Sequence, residues 1–539
     1  MGTVTGGRLV VDALKKEGVE YIFSLSGGHI NPIYQACLDT GIKVIDTRHE
    51  QAAAHMAEAW GKLTRKPGVC VVTAGPGFTN AITGVANARA SNTPMIVIAG
   101  RSGLAETEKL ALQELEQIDI IRPLIKWGRV VYEPHRLYEF TAMAFRHAMT
   151  GRPGPVFLEI PTDIMHKQVE EKDAVRPEGY RPKFQPGSSK DGVTQALEML
   201  RQAKKPAIIA GSGAYFSGAD EELKKFVELT DIPVFTNLMG RGLLSDNDPQ
   251  CFGLPMMGGA DIMQNADVIM VLGSRLGLYL GYGQAPLFPA DAKMIQVDIE
   301  GSEIGRNRKI DLGLVGDIKE VLKDMIELFD VSPFSHKDYL DSISTPARDS
   351  RQNIRNLSVA SGKFNQARIM KEINEFLDPD AVVVADGGDT FVATLMGTDV
   401  SLPGHFLAYG DFGCLGVGIP FGLAAKLRHP DKQVLVTMGD GSAGINLMEF
   451  HTAVRFNLPI VMVVFNDQAW GMIRNSQKVY GPDRIVGCEL GEVSYEKVVE
   501  ALGGYGERVD KADDIKPALK RAFASGKPAC INVYIEPVD

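Results

Sequence analysis

Three things are scarce in this chain of 539 residues, and each scarcity closes off a class of function. Cysteine is the first. Six cysteines (Cys37, Cys70, Cys251, Cys414, Cys488, Cys530) are scattered along the sequence without a single C-x-x-C. That spacing argues against a disulfide scaffold and against a thiolate metal site, and points to free thiols in a reducing compartment. Long apolar runs are the second. The longest, such as "PIVMVVF" from Pro459 to Phe465, are far too short to cross a bilayer. The N-terminal "MGTVTGGRLVVDALKKEG" lacks an apolar signal core and reads as a helix start. No membrane is expected, and the cytoplasm is the default location. The third is concentrated positive charge: 57 Lys and Arg against 67 Asp and Glu leave a net charge of -10, with no basic block. Nucleic acid is therefore not expected as a partner. Small anions stay open, because backbone N–H groups can build a local site.

What is present is ordinary globular composition, 45% hydrophobic and 23% charged, in a chain too long for one core. Short Val- and Ile-rich runs alternate with helical patterns: "YIFSL", "VIDT", "VCVVTAG", "PMIVIAG", then "PAIIAGSG", "VIMVLGS", "MIQVDIE", then "AVVVADGG", "QVLVTMGDG", "PIVMVVFN". Continuous apolar strands that end in Gly, Ser or Asp indicate parallel sheets built from βα units, hence an α/β fold. Two polar stretches interrupt the pattern, Lys167–Asp191 and Ser332–Lys363, and each reads as a linker. The cuts predict three parallel-sheet domains at about 1–165, 190–330 and 363–539. The first and last share a signature. "TAGPG" from Thr73 and "TMGDG" from Thr437 each follow a strand, open a helix, and lie 21 and 22 residues before a Pro that starts the next strand. Two matching sheets around a third suggest a site built between paired domains.

The most informative stretch is "MGDGSAGINLMEFHTAVRFNLPIVMVVFNDQAW". Asp440 follows one strand and Asn466 the next, 26 positions later. Consecutive parallel strands end side by side, so a carboxylate and an amide oxygen can meet there, with a backbone carbonyl, that of Gln468, from the following turn. Such hard oxygen ligands, with water and phosphate oxygens, suit Mg²⁺. Gly439 and Gly441 admit close backbone approach, and Ser442 is placed to cap the helix-like "GINLMEFHTAVRF". Either pair alone also reads as a turn or a strand-end cap; spacing and strand context together favour the metal.

With those residues in view, the chain resembles the thiamine-diphosphate-dependent enzymes of the pyruvate oxidase and acetolactate synthase type. Their signature is G-D-G followed some two dozen residues later by Asn, here Gly439-Asp440-Gly441 through Asn466. The resemblance implies a pyrimidine-binding domain, a central dinucleotide-binding-like domain and a diphosphate-binding domain. It implies thiamine diphosphate held through Mg²⁺ by Asp440, Asn466 and the Gln468 carbonyl. One departure is Asp467, where a second Asn often stands.

Glu50, in "VIDTRHEQAAAHMAEAW", could be no more than a first-turn acid favoured by the helix dipole. The resemblance makes it the glutamate that binds N1' of the aminopyrimidine and so promotes proton movement at the 4'-amino group. Leu415, otherwise ordinary core, becomes the residue that props the cofactor in its bent form. The Gly413 carbonyl becomes an acceptor for the amino group. Gly387, Gly388 and Asp389, in "VADGGDTFVA", become neighbours of the cofactor. The family places each cofactor between subunits, so a homo-oligomer is implied, with a dimer as the minimum unit and a homotetramer common.

His29 and Gln113 are the candidates for reaction control. His29 could cap the helix "NPIYQACLD", and Gln113 could lie on a solvated helix face. The stretches "GGHINPIYQACLD", "IDTRHEQAAAHMAE", "VVTAGPGFTNAITGVANA" and "DQAWGM" are most similar to benzaldehyde lyase and the 2-hydroxyacyl-CoA lyases, which have His and Gln at these positions. What this implies is a carbon–carbon lyase or carboligase of 2-hydroxy ketones (acyloins) and aldehydes. His29 would act as the base and Gln113 would hold substrate oxygens. The alternatives are a 2-hydroxyacyl-CoA lyase, a 2-oxo acid decarboxylase and an acetolactate synthase-like enzyme. Ser24 and Ser26 depart from the family's usual neighbourhood around the histidine.

Overall fold

All ten apolar runs become parallel strands in the computed structural model, which describes residues 2–256, 259–360 and 364–536. A short β1 (Thr3–Thr5) precedes the first sheet and pairs antiparallel with β8 (Gln168–Glu170) after it. That sheet holds β2 (Tyr21–Ser24), β3 (Lys43–Asp46), β4 (Gly68–Val72), β5 (Met95–Arg101), β6 (Trp127–Val130) and β7 (Pro155–Pro161), in the order β3-β2-β4-β5-β7-β6. The central sheet holds β9 (Pro206–Ala210), β10 (Val234–Thr236), β11 (Val268–Leu272), β12 (Lys293–Asp298) and β13 (Leu312–Val315), in the order β10-β9-β11-β12-β13. The third sheet holds β14 (Val382–Ala385), β15 (Phe406–Ala408), β16 (Val434–Gly439), β17 (Val461–Asn466), β18 (Tyr505–Val509) and β19 (Ala529–Tyr534), in the order β15-β14-β16-β17-β19-β18. Renumbered within each sheet, the first and third follow the same path, second-first-third-fourth-sixth-fifth.

Burial explains why these strands lack polar alternation. Every residue of β4, β5, β9 and β11 is buried, because helices cover both faces. At roughly 1.5–3 kcal/mol for each large apolar side chain removed from water, these central strands carry much of the core. The sheets are joined by buried polar contacts as well as apolar ones. In the helix Glu50–Thr64, Glu58 and Lys62 form a fully buried ion pair at 2.8 Å, and Lys62 Nζ donates to the Ala408 carbonyl of β15 at 2.8 Å. None of the six cysteines forms a disulfide, and all six are buried.

The second polar stretch is less of a linker than its composition suggests. Lys337–Ala360 forms one helix, and Leu340 and Ala347 on one of its faces bury against the central sheet's core. A seven-residue apolar spacing was hidden there among charges and serines. Lys363, the expected start of the third domain, and the final residues 537–539 lie outside the described residues. No helix among the described residues is long and apolar enough to cross a membrane.

Candidate active site

The carboxyl ends of β16 and β17 are level. Gly439 pairs with Phe465, so Asp440 and Asn466 are the next residues of the same row. Asp440 opens the short helix Asp440–Ala443 and is buried. Its Oδ1 accepts the Gly441 N–H at 2.9 Å, whereas its Oδ2 is buried with no partner. Burial, reinforced by the neighbouring Asp467 carboxylate, pushes its pKa up to about 7. Asn466 is clamped: Nδ2 donates to Asn532 Oδ1 at 3.1 Å, and Oδ1 accepts the Gln468 N–H at 3.1 Å. Gln468 turns the chain with φ +58°, and its carbonyl accepts the Leu490 N–H at 2.8 Å. An orphaned carboxylate oxygen beside amide and main-chain oxygens is an all-oxygen donor set that fits a hard cation such as Mg²⁺. Among the described residues, no group of three or more His, Cys, Asp or Glu is arranged to hold a metal. Asp467 turns instead to Arg474, at 3.0 Å.

Ser442 does not cap the helix expected after it. Its hydroxyl donates to the Gly439 carbonyl at 3.0 Å, and the helical pattern breaks into Asp440–Ala443 and Glu449–Arg455. The intervening Asn446 donates from Nδ2 to the Gly416 carbonyl at 2.7 Å, which ties this segment to the loop that carries Gly413 and Leu415. Asp386, which sequence reasoning passed over, is the anchor of that loop. It is fully buried, its Oδ2 accepts from Gly416 N (3.0 Å) and Gly418 N (2.8 Å), and its Oδ1 accepts from Gly387 N. Burial pushes its pKa up to about 7, against the pull of those N–H groups. Gly387 (φ +102°) thus shares an anchor with the Leu415 loop, and Gly388 and Asp389 open the following helix Asp389–Gly397. Leu415 is half-buried and packs on the core, and beside Gly413 a side chain would meet open space. Asp386 carries no motif of its own; its signal was a lone acid ending an apolar strand.

The first sheet supplies a different chemistry at its strand ends. Glu50 follows β3, begins the helix Glu50–Thr64 and is buried. Its Oε2 accepts from Asn80 Nδ2 at 3.0 Å. His29 lies in a single 3₁₀ turn, Gly28–Ile30, and does not cap the helix Asn31–Thr40, whose start has no side-chain cap. Its Nδ1 is 3.0 Å from Thr73 Oγ1, and the Thr73 hydroxyl donates to Gln113 Oε1 at 3.3 Å. Gln113 sits in a turn, not on a helix, and holds φ +62°. His29 and Gln113 are therefore joined through Thr73, which the sequence reading used only to compare the two T-x-G-x-G segments. Gly77 brings Glu50 close to this row: a Cβ there would lie 2.7 Å from Thr73 Cγ2 and 3.3 Å from Glu50 Oε1.

The two clusters are not bonded directly. Among the described residues, no hydrogen bond joins Glu50, His29 or Gln113 to Asp440, Asn466 or the loop 413–416. A polar bridge between their neighbourhoods is Glu449, whose carboxylate accepts the N–H groups of Arg48 (2.9 Å) and His49 (3.0 Å), just ahead of Glu50. Burial pushes Glu449 up to about 7.

Three family models match this chain: the thiamine pyrophosphate enzyme N-terminal TPP-binding domain over residues 4–120, the central domain over 193–325, and the C-terminal TPP-binding domain over 386–533. The chain is 33% identical over 540 residues to the acetolactate synthase large subunit IlvG of Mycobacterium tuberculosis, covering 99% of this chain and 96% of that protein. It is 33% identical over 554 residues to the 2-hydroxyacyl-CoA lyase 1 of Homo sapiens, covering 99% and 95%. It is 31% identical over 546 residues to the oxalyl-CoA decarboxylase of Escherichia coli, again covering 99% and 95%. These likenesses are too even to single out one relative, so the nearness to benzaldehyde lyase expected from the sequence is not distinguished by them.

Proposed function

This chain belongs to the thiamine-diphosphate-dependent enzymes, and from that premise we propose that it is a carbon–carbon lyase and carboligase of 2-hydroxy ketones and the aldehydes they yield. The observation that carries this reading is the His29–Thr73–Gln113 hydrogen-bonded row at the ends of the first sheet. With the Thr73 hydroxyl donating to Gln113, only its lone pairs face His29 Nδ1. Neutral His29 then carries its hydrogen on Nδ1 and leaves Nε2 as an acceptor. Cleavage of an acyloin needs a base for the substrate hydroxyl proton as the carbon–carbon bond breaks, and the same group returns that proton in the ligation direction. His29 Nε2 has that role, and the Gln113 amide N–H groups hold the substrate oxygen.

When bound, the cofactor supplies a thiazolium carbon able to stabilise negative charge on a former carbonyl carbon. The chain's part is to hold and switch it. Glu50, with Oε2 occupied by Asn80, would offer Oε1 to ring nitrogen N1'. Leu415 would support the ring, and the Gly413 carbonyl would accept from the amino group. Asp440 Oδ2, Asn466 Oδ1 and the Gln468 carbonyl would hold Mg²⁺, with Gly387, Gly388, Asp389, Gly439, Gly441 and Ser442 available to line the diphosphate end. The site is completed between two copies of the chain. Supporting this are the exposed apolar side chains beside the diphosphate loops, Val392, Phe412, Ile445, Met448, Met472 and Ile473.

The relatives' names divide among synthase, acyl-CoA lyase and decarboxylase. A second reading, 2-hydroxyacyl-CoA lyase, is favoured by a crevice at the ends of β9 and β11. It is lined by Ser212, Gly213, Gly273, Arg152 and Arg275, where an open α/β sheet offers room for a nucleotide handle. Mass-resolved product analysis decides between them, with thiamine diphosphate, Mg²⁺ and benzoin, acetoin, a 2-hydroxyacyl-CoA or a 2-oxo acid in parallel. Aldehyde release from the acyloins is expected; turnover confined to the CoA ester, or CO₂ release alone, overturns the reading. Replacing His29 with Ala is expected to lower acyloin turnover by roughly 10²–10⁴-fold while cofactor affinity is kept. Near-wild-type turnover would remove His29 from the mechanism.

A further inference from the structure

We propose that Glu449, on the third sheet's side of the molecule, is a positioning residue that seats Glu50. Glu449 begins the helix Glu449–Arg455 and is buried. Its Oε1 accepts both the Arg48 N–H (2.9 Å) and the His49 N–H (3.0 Å), and its Oε2 accepts from Thr452 Oγ1 at 2.5 Å. These are the two main-chain groups directly ahead of Glu50, at the turn where the chain leaves β3 and enters the helix. His49 adds a local cap, its Nδ1 accepting the Gln51 N–H at 3.1 Å.

The same helix makes a second attachment. Arg455 pairs with Asp46 at 2.9 Å, and Asp46 Oδ1 accepts the Ser26 N–H at 3.0 Å, on the turn that leads to His29. One helix of the diphosphate-binding half thus fixes the entry to Glu50 and braces the approach to His29. The direction of Glu50 is set by where its Cα sits, because Asn80 restrains only one of its carboxylate oxygens. A buried carboxylate that accepts two consecutive main-chain N–H groups fixes that Cα better than packing alone, since a buried carboxylate oxygen left without partners is costly.

This inference rests on the reading that Glu50 meets ring nitrogen N1', so the test separates the two. Calorimetric titrations compare Mg²⁺–thiamine diphosphate with Mg²⁺ and the analogue in which N1' is replaced by carbon. Wild type is expected to prefer the natural cofactor by about 10-fold or more, the scale of a hydrogen bond to a charged group. In Glu449→Asp the carboxylate is retracted by one methylene. That preference is expected to shrink to within about threefold while affinity for the analogue is unchanged. Glu449→Gln, whose amide oxygen can still accept both N–H groups, is expected to keep most of the preference. Thr452→Val, which frees one Glu449 oxygen, should move the ratio in the Asp variant's direction by a smaller factor, and it serves if Glu449→Asp does not fold. Undiminished preference in both Glu449→Asp and Thr452→Val overturns the proposal, as does equal weakening of both ligands, which marks a merely structural contact. Absence of any preference in wild type overturns the Glu50 reading itself.

Discussion

The first and third sheets follow the same strand path yet end in opposite chemistry. At the ends of the third, acids crowd together. Asp386 and Asp440 are buried and pushed up to about 7, and Asp440 Oδ2 has no partner. At the ends of the first, a single carboxylate, Glu50, stands beside the hydrogen-bonded row of His29, Thr73 and Gln113. The shared path explains why both clusters lie at carboxyl ends of parallel strands, where loops gather and helices begin. It does not explain what either does. The third cluster holds a buried carboxylate oxygen without a partner, whereas the first is knit by hydrogen bonds through Thr73 and Asn80.

That contrast can be broken most sharply at Asp440. Asp440→Ala is expected to weaken binding of Mg²⁺–thiamine diphosphate by more than the roughly 10–100-fold that loss of a mere outer partner costs, as read by calorimetry. Wild type should show a matching pH effect. A proton competes with the cation below the carboxyl's raised pKa of about 7, so affinity should fall by about tenfold per unit as pH drops from 7 to 5. The sign for stability is the reverse. A carboxyl that holds its proton more tightly when folded contributes stability to the cofactor-free protein at low pH, and that contribution is lost as pH rises from about 4 to 7. An affinity flat across this range would show that Asp440 is not the group that meets the metal.

Next in size is Glu50→Gln, in the first cluster. It is expected to cost about 10²–10⁴-fold in kcat with little change in Mg²⁺ affinity, because the two jobs belong to different sheets. A joint collapse of both would erase the distinction drawn between them. Smallest is Thr73→Val, which cuts the link between His29 and Gln113 without removing either. A fall of about 3- to 10-fold in kcat is expected, the worth of one hydrogen bond of ~0.5–1.5 kcal/mol, measured in steady-state assays of acyloin cleavage. An unchanged kcat would show that His29 does not depend on that row for its tautomer.

Local signals carried much of this. Every Val/Ile run predicted a parallel strand, and burial on both faces is why the prediction worked: such strands need no partner pattern to be recognised. The Asp440–Asn466 spacing was readable because neighbouring parallel strands end level, as the pairing of Gly439 with Phe465 shows. Ser442 was misread because helical periodicity continues through "GINLMEF", and nothing local announces that Asn446 leaves the pattern to reach the Gly416 carbonyl. The helix Lys337–Ala360 was masked by its polar composition, since Leu340 and Ala347 are few among many charges. Asp386, Thr73 and Glu449 were invisible as site residues for one reason: each is tied to a distant segment, by partners 30 to 401 positions away.

The sequence by itself determined the class of sheet and the row of strand ends that carries the candidate residues, because those follow from periodicity and from spacing within single βα units. The family was legible through the resemblance of its Gly439-Asp440-Gly441…Asn466 motif. Only the tertiary structure decided which side chains on that row face one another. It left Asp440 Oδ2 without a partner, and it placed a threonine between His29 and Gln113. It also set a glutamate of the third sheet's half under the turn that leads to Glu50. The physical reason is that hydrogen bonds and buried charge are settled by distances of a few ångströms between segments tens to hundreds of residues apart, and no local pattern encodes those distances.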